Sequence, residues 1–340
     1  MIMRNVIYIL ILVGACGLSV PVEAGGKKDA FEYNKLIGRA VNLGNGLDAP
    51  QEGAWGVTLQ DEYFGIIRKA GFNAVRMPVR WSAHAATNPP YTIDTNFFLR
   101  VDHLINKALG DGLVVILDMH HYMEVMKMPE ENKARFVALW DQLATHYRSY
   151  SDRLYFELLN EPHEKLTGDI WNSFVTETLK AMRKTNPGRM VIVGPVQWNS
   201  IDNLRSLVLP ADDRNIIVTY HYYAPFHFTH QGAAWVGKES DAWLGTTWTG
   251  KEEEQKFVRT AFDIVAEWAK KEKRPVFMGE FGAYSKAKME DRARWTQFVA
   301  REAEKRGFSW AYWEFCAGFG VYDKDEHVWR ADLLSALIPK

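Results

Sequence analysis

Cysteine is nearly absent, with only Cys16 and Cys316 in 340 residues. A disulfide scaffold is therefore excluded, and loss of the first segment on export would leave no intrachain pair at all. Charge of one sign is also missing: Lys and Arg number 41 against 42 Asp and Glu. Such a balance argues against a nucleic-acid or anionic-membrane partner. No Gly-rich phosphate loop follows any apolar run, which counts against a doubly wound dinucleotide fold. There is no Pro/Ser/Thr-rich linker, low-complexity tract or second compositional block, so the chain reads as one domain. The apolar run Val6 to Val13, after Arg4 and ahead of the small residues that end in Val22-Glu23-Ala24, is too short and wrongly flanked for a membrane span. It reads as a secretory signal over residues 1–24, leaving residues 25–340 as the folded domain. Val13-Gly14-Ala15-Cys16 offers the alternative of a lipid anchor on Cys16, but the apolar run continues past it and favours plain secretion.

Aromatics are abundant, with 13 Trp and 14 Tyr. Most are expected to fill a large core, and some to form flat platforms for sugar rings or bases. From Phe31 onward, apolar runs alternate with amphipathic stretches. The strands are expected at Gly38–Gly44, Asn73–Pro78, Leu113–Asp118, Leu154–Leu159, Met190–Gly194, Ile216–Tyr220, Pro275–Met278 and Phe308–Trp313. The helical stretches between them run Leu59–Ala70, Phe97–Leu109, Lys133–Tyr150, Trp171–Lys184, Glu252–Lys271 and Asp291–Arg306. Repeated β-then-α units predict an α/β protein, a (β/α)8 TIM barrel. One connection is too long, Ala224 to Gly250, carrying His227, His230, Trp235, Trp243 and Trp248. It reads as a binding wall or as a surface insertion held by its own aromatics.

A barrel works at the C-terminal ends of its strands. There the sequence places Asn45 and Asp48, Arg76, His120-His121, Asn160-Glu161, His221 with Tyr223, Glu280, and Trp313-Glu314. No metal motif or Ser nucleophile elbow accompanies the two glutamates. Two carboxyls across a cleft suit glycosidic-bond hydrolysis, one as acid and one facing the oxocarbenium-like carbon. Their pKa values must differ, with Arg76 and Tyr223 able to keep one of them ionised. Each Glu alone is as readily an ion-pair member, and the matching positions are what raise them together. His120 and His121, as neighbours on a strand, are expected on opposite faces and so unable to chelate one ion. His221 and Tyr223 should share a face, and Glu157 reads as a buried structural carboxylate. Trp313 is either a sugar platform or core.

The motifs NLGN, VRMPVRW, His120-His121, LNEP, His221 with Tyr223, GEFG and AYWEF, in this order, resemble glycoside hydrolase family 5 from about Phe31 to the C-terminus. The resemblance implies a retaining endo-β-1,4-glucanase, or a β-1,4-mannanase or dual enzyme, without cofactor or metal and acting as a monomer. It matches Glu161 to the acid/base, Glu280 to the nucleophile, and Arg76 and Tyr223 to the nucleophile's supports. Asn160 matches the partner of the sugar 2-hydroxyl, and His120, His221 and Trp313 the walls before the scissile bond. Asn45, His121, Trp235 and Glu314 are further sugar-contact candidates. Relatives of this type often carry Glu where Asp48 stands, which bears on glucan-versus-mannan preference and implies broad specificity. The competing readings are a non-catalytic glycan-binding barrel and a metal-dependent barrel hydrolase.

Overall fold

The computed structural model describes residues 28–339, so the expected signal segment and Cys16 lie outside the described residues. Eight strands form the barrel: β1 (Arg39–Asn42), β2 (Ala74–Val79), β3 (Val114–Met119), β4 (Leu154–Glu157), β5 (Val191–Val193), β6 (Ile216–Tyr222), β7 (Val276–Phe281) and β8 (Ser309–Tyr312). They are parallel and in sequence order, and β8 returns to β1 with Arg39 opposite Trp310 and Val41 opposite Tyr312. The (β/α)8 expectation holds, and every expected strand is present within a few residues of its bounds.

The helices of seven or more residues are α1 (Ala30–Ile37), α2 (Asp61–Ala70), α3 (Thr95–Gly110), α4 (Pro129–His146), α5 (Gly168–Met182), α6 (Glu252–Glu272), α7 (Met289–Lys305) and α8 (Ala331–Leu337). Their ends are written in the chain. Asp29 and Glu32 make a reciprocal capping box on α1. α6 opens on Glu252, Glu253 and Glu254 and closes on Lys270 and Lys271, the charge order that the helix dipole favours. The regular alternation fails after β5. That connection holds only a short turn, Val196–Asn199, and the 3-10 segment Ile201–Ser206. Gln197, Trp198 and Asn199 sit at φ of 58°, 59° and 55°, a left-handed run costing about 1–2 kcal/mol per residue, which no α-helix can absorb.

Side chains alternate along each strand, and the outward set of Val, Leu, Met and Phe packs beneath the helices. Inside, a lower layer is apolar, including Ala74, Ile116, Tyr155, Ile192, Phe277 and Ala311. α1 stoppers this end: Asn34 Nδ2 donates to Val276 O at 3.0 Å, and Ser309 Oγ donates to Asn34 Oδ1 at 2.6 Å. Above it lies a polar layer of Asn42, Arg76, Asp118, Glu157 and Thr219, all fully buried. That layer carries the floor of the cleft.

The long β6–α6 connection has its own order, including the helical turn Phe226–Thr229 and the 3-10 segment Lys238–Trp243. Trp248 is buried and Gln231 ties the loop internally to Phe228 O and Thr246 O, while Trp235 stands 61% exposed. The loop is thus an insertion fastened by its own side chains that also places Trp235 in the lining of the cleft.

Candidate active site

Arg76 organises the site. β2 turns Ala74 and Arg76 inward and Val75 and Met77 outward, which sets a guanidinium in the middle of the polar layer. Its Nε and Nη2 donate to the two oxygens of Glu157 at 2.7 and 2.9 Å. Nη2 also donates to Asn160 Oδ1 at 2.8 Å, and Nη1 to Asn42 Oδ1 and Glu280 Oε1, both at 2.9 Å. Asp118 Oδ2 stands 3.1 Å from Nη2. One cation thus faces three carboxyls, a ratio that cannot keep all of them as ordinary anions. Burial pushes Asp118 up to about 7, and raises Glu157 against the lowering pull of Arg76.

Glu280 reaches the cleft through a bulge. Plain alternation on β7 would turn Phe277 and Gly279 inward and Glu280 outward. Instead Tyr220 pairs with Met278 while His221 pairs with Glu280, so β7 carries one extra residue there. The slip turns Glu280 inward and crowds Gly279 against β6. A Cβ at Gly279 would lie 2.6 Å from Thr219 Oγ1 and 3.1 Å from His221 Nε2, so only glycine fits.

Glu161 lies beyond the end of β4 at φ 50°. His221 Nδ1 is 2.7 Å from its Oε1. The other ring nitrogen of His221 is 3.1 Å from Asn199 Nδ2. An amide nitrogen only donates, so Nε2 accepts and the ring proton is on Nδ1. Burial drops His221 to about 4, which keeps the ring a neutral donor to Glu161.

Glu161 and Glu280 each bring an oxygen within 4.8 Å of the other. Burial pushes each of them up to about 7, and so close a pair titrates as a unit. Glu280 accepts from two strong donors, Arg76 Nη1 and the Tyr223 hydroxyl, both at 2.9 Å. Glu161 has His221 alone. The proton held near neutrality therefore rests on Glu161, and on Oε2, because Oε1 already accepts from His221.

The surrounding cleft encloses about 1780 Å³, well above the roughly 300–1,000 Å³ of an ordinary small-ligand site. Trp313 stacks flat on His120, with ring centres 5.7 Å apart and planes within 7°. Gly44 allows this approach, since a Cβ there would sit 2.8 Å from the indole. His121 meets Trp55 edge-on at 5.4 Å, and Trp235 meets Tyr284 edge-on at 4.8 Å. Asn45 donates its backbone N–H to Asp48 Oδ2 at 3.1 Å, while Asp48 Oδ1 is buried without a partner. Burial pushes Asp48 up to about 7.

Most of the residues expected from the sequence line this cleft: Asn45, Asp48, His120, His121, Asn160, Glu161, His221, Tyr223, Trp235, Glu280 and Trp313. Arg76 and Glu157 lie beneath them. Two expectations change. His120 and His121 do not point apart, because β3 ends at Met119 and His121 takes φ 51°. Their rings meet at 4.5 Å, and with Asp48 they place ligand atoms within 4.8 Å of one another. The alternation argument against a shared ion therefore fails. His120 Nδ1 is engaged by Asp118, which leaves Nε2 turned to a ligand, hydroxyl or metal. Glu161, His221 and Glu280 form a second such group, but Arg76 and Tyr223 already hold both Glu280 oxygens and His221 Nδ1 is engaged with Glu161 Oε1. Glu314 is the other change. It is not in the cleft lining, and its carboxylate accepts from the backbone N–H groups of Cys316, Ala317 and Phe319. It fastens the β8 loop, and the expected sugar contact does not fit that placement.

Several participants were missed. Asp118 was legible, two residues from His120 on the same face. Asn42, the first residue of NLGN, and Asn199, at the fifth strand's end, were given no role: the first holds Arg76, and the second reaches His221 through the left-handed turn.

A closed (β/α)8 barrel with two glutamates facing each other over an arginine-centred polar layer is the architecture of a glycoside hydrolase. The model of the cellulase family, glycosyl hydrolase family 5, matches residues 38–318, and the chain belongs to that family. Endoglucanase H of Acetivibrio thermocellus is 35% identical over 326 residues, covering 94% of this chain and 35% of that protein. The cellulase/esterase CelE of the same organism is 30% identical over 323 residues, which cover 89% of this chain and 38% of that protein. The chain thus spans little more than a third of either relative. Among solved structures, the endoglucanase Cel5A of Thermotoga maritima is 53% identical with a TM-score of 0.90, covering 92% of this chain and 100% of that one. Structures of that Cel5A hold mannotriose or cellobiose.

Proposed function

We propose that the chain is a retaining endo-β-1,4-glucanase. The observation that carries the reading is the approach of Glu161 and Glu280 to within 4.8 Å. Retaining enzymes keep their carboxyls about 5 Å apart, whereas inverting ones open a wider gap, about 6.5–9.5 Å, for a water. Glu280 attacks the anomeric carbon as Glu161 Oε2 passes its proton to the glycosidic oxygen, and the leaving sugar departs. Glu161 then takes a proton from water, whose oxygen displaces Glu280 and restores both groups. Asn160, its Oδ1 held by Arg76, keeps Nδ2 free to donate to the sugar 2-hydroxyl.

Activity on β-1,4-mannan accompanies the glucanase reading, supported by the mannotriose complex of Cel5A, 52% identical to this chain. Export after loss of residues 1–24, action as a monomer and independence of metal or cofactor belong to the same proposal. Reducing-sugar release from carboxymethyl-cellulose, barley β-glucan and galactomannan tests the substrate. NMR of the first anomer released from a cello-oligosaccharide tests the stereochemistry, with the β-anomer expected and an α-anomer sinking the retaining mechanism. Activity on mannan alone would move the function to mannanase.

The pair's titration has its own readout. kcat/KM should fall as pH rises through about 7, where Glu161 gives up the proton that burial makes it hold. Glu161→Gln should abolish that alkaline limb, and a limb that survives in the variant belongs to another group.

A further inference from the structure

The cleft extends well beyond the catalytic pair, and in one direction. Glu161 protonates the departing sugar, so the leaving half of the chain lies on its side. Trp198 stands next on that side: its backbone N–H donates to Pro162 O at 3.3 Å, and its ring stacks on His163 at 5.0 Å with planes 13° apart. Past Trp198, the same cavity runs between Ile201 and one flank of α6, where Phe257, Thr260 and Ile264 line it. These three recur at helical spacing and share a face. The lined stretch of α6, from Glu253 to Ile264, is about 16 Å long.

The missing helix explains why this flank is open. In a regular barrel a helix after β5 would cover α6, but here only the 3-10 segment Ile201–Ser206 stands beside it. Phe257 therefore stays 60% exposed and Ile264 41%. Exposed apolar residues in a line, continuous with a catalytic cleft, need an occupant. A pyranose chain has apolar C–H faces and a hydroxyl rim, which Phe257 and Ile264 on one hand and Thr260 and Lys256 on the other can meet.

We infer that the flank of α6 is a remote binding strip for the leaving-group half of a β-1,4-glycan chain, with Phe257 and Ile264 as its contacts. This rests on the glycanase reading above. It makes the enzyme prefer long chains, because only they reach from Glu161 past Trp198 to the strip.

The test compares substrates that do and do not reach the strip. Phe257→Ala, Ile264→Ala and the double variant are assayed on cello-hexaose, soluble β-glucan and an aryl β-cellobioside whose leaving group ends next to Glu161. In the double variant kcat/KM on the polymer should fall about five- to tenfold through KM, with an unchanged rate on the aryl glycoside and shifted cleavage positions on cello-hexaose. Equal losses on all substrates mean a structural role and overturn the strip, as does parental kcat/KM on the polymer. Wild-type inactivity on every substrate would sink the glucanase reading instead. The strip is then judged by calorimetric binding of cello-hexaose, which the double variant should weaken by the same factor; unchanged binding overturns it.

Discussion

Glu280→Gln and Glu161→Gln are each expected to cut turnover of β-1,4-glucan by at least about a thousandfold, with the fold retained. The two losses should separate when the leaving group changes. A phenolate of low basicity departs without a proton, so Glu161→Gln should recover much of its first-step rate on a dinitrophenyl cellobioside, while Glu280→Gln stays inactive. Equal losses on both substrates would break the assignment of acid and nucleophile. Thermal melts add a signature. A carboxyl whose folded pKa is raised contributes stability below its unfolded value of about 4, and that contribution is lost as pH rises through the folded value. For Glu161, at about 7 in the fold, the window is pH 4 to 7. Glu161→Gln should therefore melt with the parent at pH 4 and above it at pH 8.

The second large effect is on stability. Arg76→Met leaves Asp118, Glu157 and Glu280 buried without the cation they surround, a loss on the order of 3–5 kcal/mol. Its pH dependence follows from the same sign argument. The remaining carboxyls escape burial as anions only by holding protons, so the deficit should be smallest near pH 4 and grow toward pH 8. Denaturant melts at the two pH values measure it. A deficit independent of pH would mean that Arg76 matters for packing rather than for charge. Activity should fall as well, because Glu280 loses the stronger of its two donors.

The alternation of apolar runs with amphipathic stretches was enough to read the barrel, and the strand tips were enough to find Glu161, Glu280, Arg76 and Tyr223. What the sequence hid was every departure from a regular pleat. The extra residue in β7, the φ of 50° at Glu161, the turn at His121 and the left-handed run through Asn199 each redirect a side chain. Pattern reading assumes the strand continues straight, so it placed His121 on the wrong face and Glu314 in a cleft that it does not line. No helical stretch was read between the fifth and sixth strands and only a short turn and a 3-10 segment form there, but the three left-handed non-glycine residues that open that connection have no compositional signature. These irregularities collect at the site because only there must many polar groups converge on one point.

The stopper helix has a consequence for how this chain is made. Asn34 is held by Val276 and Ser309, and β1 closes against β8, so the first segment of the barrel waits for its last ones. No N-terminal fragment that stops before β7 can seat α1 or seal the barrel. Folding by such distant pairings is slow and comes after synthesis. The barrel therefore stays unsealed until its final strands appear, whereas a locally folding bundle can close helix by helix.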